Sequence, residues 1–131
     1  MPYDILLCDD EVHILRAAEF KLAAAGHKVR TARNGREAWR SIEEQVPDIL
    51  VTDLQMPEMN GYELIQQVRS NPATAELPII MLTAKALEIA EGEALRFGLV
   101  RILTKPFSPK ALLQLIESSL GAGAEAGAPA K

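Results

Sequence analysis

Short apolar runs alternate along the chain with segments whose apolar residues recur at helical spacing. Residues 5–8, 49–51, 79–82 and 102–103 are almost entirely apolar and predict strands, and residues 28–32 predict a weaker one. Strands that are apolar along their whole length are buried on both faces, as is typical of parallel sheets. The pattern therefore predicts a parallel sheet whose two faces are both packed against other elements of the chain.

The segments between these runs have the periodicity of amphipathic helices. Leu15, Ala18 and Leu22 lie at i, i+3 and i+7, and a set at i, i+3, i+4 and i+8 begins at Leu112. A strand followed by a helix recurs five times along the chain. This alternation predicts an α/β fold, with a doubly wound sheet and right-handed crossovers.

Several helix ends carry recognisable signals. Asn34 followed three residues later by Glu37 resembles a capping box. Ser108 before Pro109 predicts an N-cap with proline at the first helical position. A further helix is expected over residues 61–70.

Composition and charge narrow the class of protein. The chain has 131 residues, 48% of them hydrophobic and 24% charged, which suits one globular domain. Its net charge of −4 argues against direct binding of nucleic acid. The single cysteine, Cys8, excludes an internal disulfide and fits a reducing compartment. No signal peptide and no membrane-spanning run are visible, so we expect a cytoplasmic protein without membrane insertion.

The C-terminal segment differs from the rest in composition. Residues 121–131, GAGAEAGAPAK, contain no bulky apolar side chain that could offset the entropy lost on ordering. We therefore expect residues 1–120 to form the domain and residues 121–131 to be a disordered tail or the stump of a linker.

Polar residues follow the predicted strands at their carboxyl ends. Asp9 and Asp10 follow the first strand, Asp53 the third, Thr83 the fourth and Lys105 the fifth. Each has an ordinary explanation alone, such as a helix cap or an Asx turn. Together they fall on the edge of the sheet where open α/β proteins bind ligands.

The charge at this edge points to a cation and to phosphoryl chemistry. Three carboxylates and one lysine leave a net charge of −2, which a divalent cation would neutralise. Mg²⁺ favours carboxylates, water and phosphate oxygens. Mg²⁺, a lysine and a hydroxyl around a carboxylate suit the stabilisation of a transferring phosphoryl group. A carboxylate can itself be the nucleophile.

Four motifs carry a resemblance to a known family: ILLCDDE, DILVTDLQMPEMNGYEL, PIIMLTA and LTKPF. The chain resembles, over about residues 3–120, a response-regulator receiver domain of two-component signalling, and is similar to stand-alone chemotaxis regulators. The resemblance implies a flavodoxin-like, five-stranded parallel sheet of order 2-1-3-4-5 with five helices.

The resemblance also implies how the acidic residues act. Asp53 would be the phosphoacceptor. Asp10 and Asp53 would bind Mg²⁺ directly, Asp9 through water, and the main-chain carbonyl of Gln55 would complete the set.

Further roles implied by the resemblance concern the phosphoryl group and the switch. Thr83 and Lys105 would stabilise the phosphoryl group, and the Lys105–Pro106 peptide bond would be cis. Thr83 would also be a switch residue, together with Ile102, which stands where the family usually has an aromatic ring. Because isoleucine is β-branched and stiff, we expect residues 84–87 to carry the change while Ile102 keeps one rotamer.

The implied function is a phosphorylation-activated switch and not an enzyme beyond self-phosphotransfer and slow self-dephosphorylation. Its phosphoryl donor would be a phosphohistidine of a sensor histidine kinase or histidine phosphotransfer protein, and its output a changed affinity for an unknown downstream protein.

Two other classes of α/β protein fit the acidic first strand end less well. A haloacid-dehalogenase-type phosphatase needs a second aspartate two positions after Asp9, where this chain has Glu11. A flavodoxin-like redox carrier needs a phosphate loop in place of the acidic DDEVHIL.

Overall fold

Five parallel strands form one sheet in the computed structural model, which describes residues 2–83, 98 and 101–126. The order across the sheet is 2-1-3-4-5, and every neighbouring pair is parallel, as predicted. In chain order, the strands are β1 (Asp4–Cys8), β2 (Lys28–Ala32), β3 (Ile49–Asp53), β4 (Ile79–Thr83) and β5 (Arg101–Thr104).

Four helices are described. They are α1 (Val12–Ala24), α2 (Gly35–Glu44), α3 (Gly61–Ser70) and α4 (Pro109–Ala126). The fifth helix, expected between β4 and β5, would lie outside the described residues. Within the described part of the chain, no helix combines the length and the apolar character that a membrane crossing requires.

The core lies in two layers, one on each face of the sheet. Leu6 and Leu50 belong to the layer that includes residues of α2 and α3. Ile5 and Ile49 belong to the layer that includes residues of α1 and α4. Adjacent residues of a strand point to opposite faces, so each inner strand must be apolar throughout. This double burial is the reason for the continuous apolar runs in the sequence.

Helix capping differs from the prediction at α2. Asn34 accepts a hydrogen bond from the backbone N–H of Glu37 (2.8 Å), but the Glu37 carboxylate accepts from the N–H of Arg33 and not from that of Asn34. The predicted capping box is therefore wrong in its second hydrogen bond, the one from the N-cap N–H to the Glu37 carboxylate. A complete box occurs at α3 instead, between Asn60 and Glu63, where the same three-residue spacing is present.

The last helix begins as predicted and extends further than predicted. Ser108 Oγ accepts a hydrogen bond from the backbone N–H of Ala111 (3.0 Å). The helix continues to Ala126, past the domain boundary expected at residue 120, and the disordered tail stays a prediction. Alanine has the highest helix propensity, and extending an existing helix avoids the cost of nucleation. Residues 127–131 lie outside the described part of the chain.

We expect Gly61→Ala to lower the free energy of unfolding by about 1–3 kcal/mol, because added core volume strains its surroundings. A Cβ at Gly61 would lie 2.9 Å from Leu54 Cα and closer still to the carbonyl oxygen of Asp53. Both neighbours are backbone atoms that cannot rotate away. Urea denaturation measures the change, with Gln67→Ala at an exposed position of the same helix as the control. Equal stability of the two variants would contradict the prediction.

Candidate functional site

The carboxyl edge of the sheet carries an open cavity of about 490 Å³. Its lining consists of polar residues from the ends of β1, β3, β4 and β5 with one methionine: Asp10, Glu11, Asp53, Gln55, Met56, Thr83 and Lys105. The parallel strands end at this edge, so residues far apart in the sequence meet there. The structure therefore brings the predicted polar residues together.

Three aspartates at this edge form a group that fits a hard cation. One carboxylate oxygen from each of Asp9, Asp10 and Asp53 lies within 4.8 Å of the others. Asp9 and Asp53 are buried, whereas Asp10 is exposed. The Oδ2 atom of Asp9 is buried and receives no hydrogen bond. This oxygen is paired with the ammonium of Lys105 at 2.8 Å, although without hydrogen-bond geometry. The oxygen-only donor set of the three aspartates fits Mg²⁺.

The ammonium of Lys105 lies at the centre of the acidic residues. Its Nζ is 2.8 Å from Asp9 Oδ2, 2.8 Å from Glu11 Oε1 and 3.3 Å from Asp53 Oδ2. The contact with Glu11 is a hydrogen bond, whereas that with Asp9 Oδ2 is an ion pair without hydrogen-bond geometry. The lysine side chain is only 9% exposed, so water does little to screen these contacts.

Burial and charge shift the pKa values of the central pair. Burial, followed by repulsion from Asp9, raises the pKa of Asp53 from 3.8 to about 6, although Lys105 and a hydrogen bond from the Leu54 N–H oppose the shift. Burial lowers the pKa of Lys105, but its carboxylate partners outweigh burial and raise the pKa overall. Lys105 is thus a permanent cation, and Asp53 is a carboxylate of increased basicity.

Glu11 is the residue of this site that the sequence interpretation missed. Its carboxylate lines the cavity and accepts a hydrogen bond from Lys105, which lowers the pKa of Glu11. With Glu11 included, four carboxylates surround one ammonium and the net charge is −3, not the predicted −2. The available signal was the acidic run DDE, whose third residue follows directly after the two aspartates predicted to bind the metal.

The remaining predicted residues lie near the acidic group. Thr83 is buried at the end of β4, and its backbone oxygen accepts a hydrogen bond from the N–H of Lys105 (2.9 Å). Gln55 is exposed on the cavity wall. Ile102 is partly buried on β5 opposite Met81, and the Lys105–Pro106 peptide bond is cis. Residues 84–87, predicted to carry the switch, lie outside the described part of the chain.

Comparison with known proteins identifies the family. The family model of the response regulator receiver domain matches residues 5–117. The chain belongs to this family, whose members act in phosphorylation-dependent signalling. Among its relatives, a chemotaxis protein CheY homologue of Campylobacter jejuni is 36% identical over 126 residues, which are 95% of this chain and 97% of the relative.

Solved structures agree with this assignment. The chemotaxis response regulator CheY4 of Vibrio cholerae is 32% identical with a TM-score of 0.84, over 92% of this chain and 100% of that one. The receiver domain of sensor histidine kinase PA1611 from Pseudomonas aeruginosa is 30% identical with a TM-score of 0.82, over 92% of this chain and 99% of that one. That structure has a magnesium ion coordinated in its active site cleft. Family membership therefore favours a signalling receiver over both the phosphatase and the redox carrier.

We expect Asp53→Asn to stabilise the protein in EDTA at about pH 8 by about 1–3 kcal/mol, since one pKa unit corresponds to about 1.4 kcal/mol. The pKa of Asp53 is raised in the folded protein, so the folded state binds its proton more tightly than the unfolded state. The contribution of Asp53 to stability therefore falls as the pH rises from about 4 to about 6 and is constant above that range.

The gain from Asp53→Asn should accordingly vanish near pH 4, where the folded protein carries a protonated Asp53. Urea denaturation at both pH values measures it. Glu44→Gln removes an exposed carboxylate on α2 and serves as the control. A gain that is the same at both pH values would contradict the prediction.

Proposed function

We propose that Asp53 accepts a phosphoryl group from a phosphohistidine of a sensor histidine kinase or a histidine phosphotransfer protein, in a Mg²⁺-dependent reaction. The single observation that carries this proposal is the position of Asp53. Its carboxylate is nearly buried, lies beside two other aspartates and has the ammonium of Lys105 at 3.3 Å from Oδ2. Asp9 shares this burial and these contacts, but of the two aspartates Asp53 is the one that lines the open cavity.

The proposed step is a displacement at phosphorus. A carboxylate oxygen of Asp53 forms a bond to phosphorus while the bond from phosphorus to the histidine nitrogen breaks. The electron pair of the broken bond remains on the imidazole, which takes up a proton as required. Without a metal the pKa of Asp53 is raised to about 6, so its carboxylate is deprotonated at neutral pH and can act as the nucleophile.

The metal would be held by the aspartates. Asp10 and Asp53 would bind Mg²⁺ directly, Asp9 through water, and Gln55 would contribute its main-chain carbonyl. The three aspartate oxygens, which lie within 4.8 Å of one another, support a hard cation at this place. Bound Mg²⁺ would neutralise charge on the phosphoryl oxygens. The magnesium ion in the PA1611 receiver domain is a precedent at 30% identity.

Lys105 and Thr83 would recognise the phosphoryl group after transfer. Lys105 would pair with one phosphoryl oxygen, and the Thr83 hydroxyl would donate a hydrogen bond to another. Both side chains line the cavity that contains Asp53, which supports these roles. The movement of Thr83 would then reach residues 84–87 while Ile102 keeps its rotamer, and the altered surface would bind a downstream protein. The product remains attached to the chain, so the protein acts as a switch and not as a turnover enzyme.

Labelling by a small-molecule phosphodonor tests the phosphoacceptor. With Mg²⁺ and acetyl phosphate, we expect one acid-labile phosphoryl group per chain and none in Asp53→Asn, since an amide is a far weaker nucleophile than a carboxylate. Intact-protein mass spectrometry at neutral pH measures the added mass. Glu44→Gln, which also replaces an acid by its amide, should be labelled as the wild type is. Undiminished labelling of Asp53→Asn would overturn the assignment.

Thermal unfolding tests the metal site. A ligand that binds only the folded protein stabilises it by about 2.7 kcal/mol at 100 times its Kd. We therefore expect Mg²⁺ to raise Tm and Asp10→Asn to remove most of that rise, because Asp10 is one of the three clustered carboxylates. Glu43→Gln, at an exposed position of α2, should respond as the wild type does. A Tm that is indifferent to millimolar Mg²⁺ would show that the cluster does not bind it.

A further inference from the structure

The ammonium of Lys105 is closer to two other carboxylates than to the proposed phosphoacceptor. Asp9 Oδ2 and Glu11 Oε1 both lie 2.8 Å from Nζ, whereas Asp53 Oδ2 lies at 3.3 Å. A hydrogen bond directs the ammonium towards Glu11. In this state the lysine is therefore in closer contact with Asp9 and Glu11 than with Asp53.

The two nearer carboxylates differ in their freedom to release the lysine. Asp9 is fixed, because its side chain is 2% exposed and its Oδ1 accepts a hydrogen bond from the N–H of Glu11 (2.9 Å). The Glu11 side chain is 47% exposed. It occupies the N-cap of α1 but makes no side-chain capping bond there. The Glu11 side chain can rotate into solvent without breaking a capping hydrogen bond. Of the two nearer carboxylates, Glu11 is therefore the one that can release Lys105.

A phosphoryl group on Asp53 would compete directly for the same ammonium. The phosphoryl group carries a charge of about −1.5 to −2 in place of the single negative charge of the carboxylate, and it has three acceptor oxygens. The ammonium has three N–H donors. Lys105 now lies nearer to Glu11 than to Asp53, so a movement of its ammonium towards the phosphoryl group would weaken the hydrogen bond to Glu11. The carboxylate of Glu11 would then remain nearby and repel the new charge.

We propose that Glu11 is a positioning residue that holds Lys105 away from Asp53 and lowers the stability of the phosphorylated state. The inference rests on the proposed function of Asp53. Glu11 touches neither the phosphoryl donor nor the reacting atoms and acts through the lysine. Its carboxylate would thus set how strongly the site retains a phosphoryl group, and hence how readily the switch returns to its resting state.

Binding of beryllofluoride, an analogue of the phosphoryl group, tests the inference. In the presence of Mg²⁺, we expect Glu11→Gln to lower the Kd of beryllofluoride by about three- to tenfold, the range set by a charged hydrogen bond that is partly exposed. Titration followed by ¹⁹F NMR gives the Kd. Glu11→Ala should also bind more tightly, and neither variant loses a helix cap.

Glu37→Gln is the matched control. Glu37 lines a neighbouring cavity with Asp10, and the hydrogen bond that its Oε1 accepts from the Arg33 N–H can be kept by an amide oxygen. The substitution removes the same charge close to the site without removing a partner of Lys105. We expect its Kd to stay within about twofold of the wild type, as for an exposed charge. If Glu11→Gln and Glu37→Gln lower the Kd of beryllofluoride equally, the inference is overturned, because the loss of one negative charge near the site would then explain both effects.

A second readout reports on the lysine itself. In EDTA and without any ligand, the ¹⁵N resonance of the Lys105 ammonium should shift in Glu11→Gln and stay unchanged in Glu37→Gln. A wild type that binds beryllofluoride, with an unchanged Kd in Glu11→Gln, would overturn this inference and leave the proposed function intact. A wild type that does not bind beryllofluoride with Mg²⁺ would overturn both.

Discussion

The rest of the site depends on one constraint: four carboxylates lie together at one edge of the sheet with a single ammonium, which contacts three of them. Two unit charges about 4 Å apart interact with about 4 kcal/mol at an effective dielectric constant of 20, so carboxylates at this spacing would repel one another strongly without Lys105. The lysine lies within 3.3 Å of three of them. Because the ammonium cannot satisfy all four groups, some negative charge stays uncompensated, and this remainder gives the site its preference for a divalent cation.

The same crowding that costs stability gives the site its chemical properties. Burial and the nearby charge of Asp9 raise the pKa of Asp53 to about 6 in the absence of metal, and its carboxylate is still deprotonated at neutral pH. The partners of Lys105 keep it protonated, so it can always act as a counter-ion. The Asp53 carboxylate as nucleophile and the Lys105 ammonium as permanent cation lie 3.3 Å apart. This arrangement suits the transfer of a group that carries negative charge.

The scaffold holds these groups by close backbone packing on the side of β3. Gly61, the first residue of α3, donates its N–H to the carbonyl of Leu54 (2.8 Å) and lies against the carbonyl of Asp53. The capping box of Asn60 fixes the same helix end. Glu58, in the loop between, has a φ of 67°, a left-handed conformation that is uncommon for a residue with a side chain. The loop after Asp53 is therefore held in a specific shape.

Much of this protein could be predicted from the sequence, because the relevant signals are local or follow from topology. Apolar runs identify buried strands, and parallel strands bring their carboxyl ends, with Asp53 and Lys105, to one edge. Even so, the same Asn-x-x-Glu spacing gives half a capping box at α2 and a complete one at α3. The partner of Glu11 was also not predictable, since topology brings several carboxylates to the same edge as Lys105 and does not decide which of them its ammonium contacts. Residue type and spacing determine which elements form and where they end. Only packing in three dimensions decides which side chains come within hydrogen-bonding distance, because that distance depends on the relative positions of whole strands and helices.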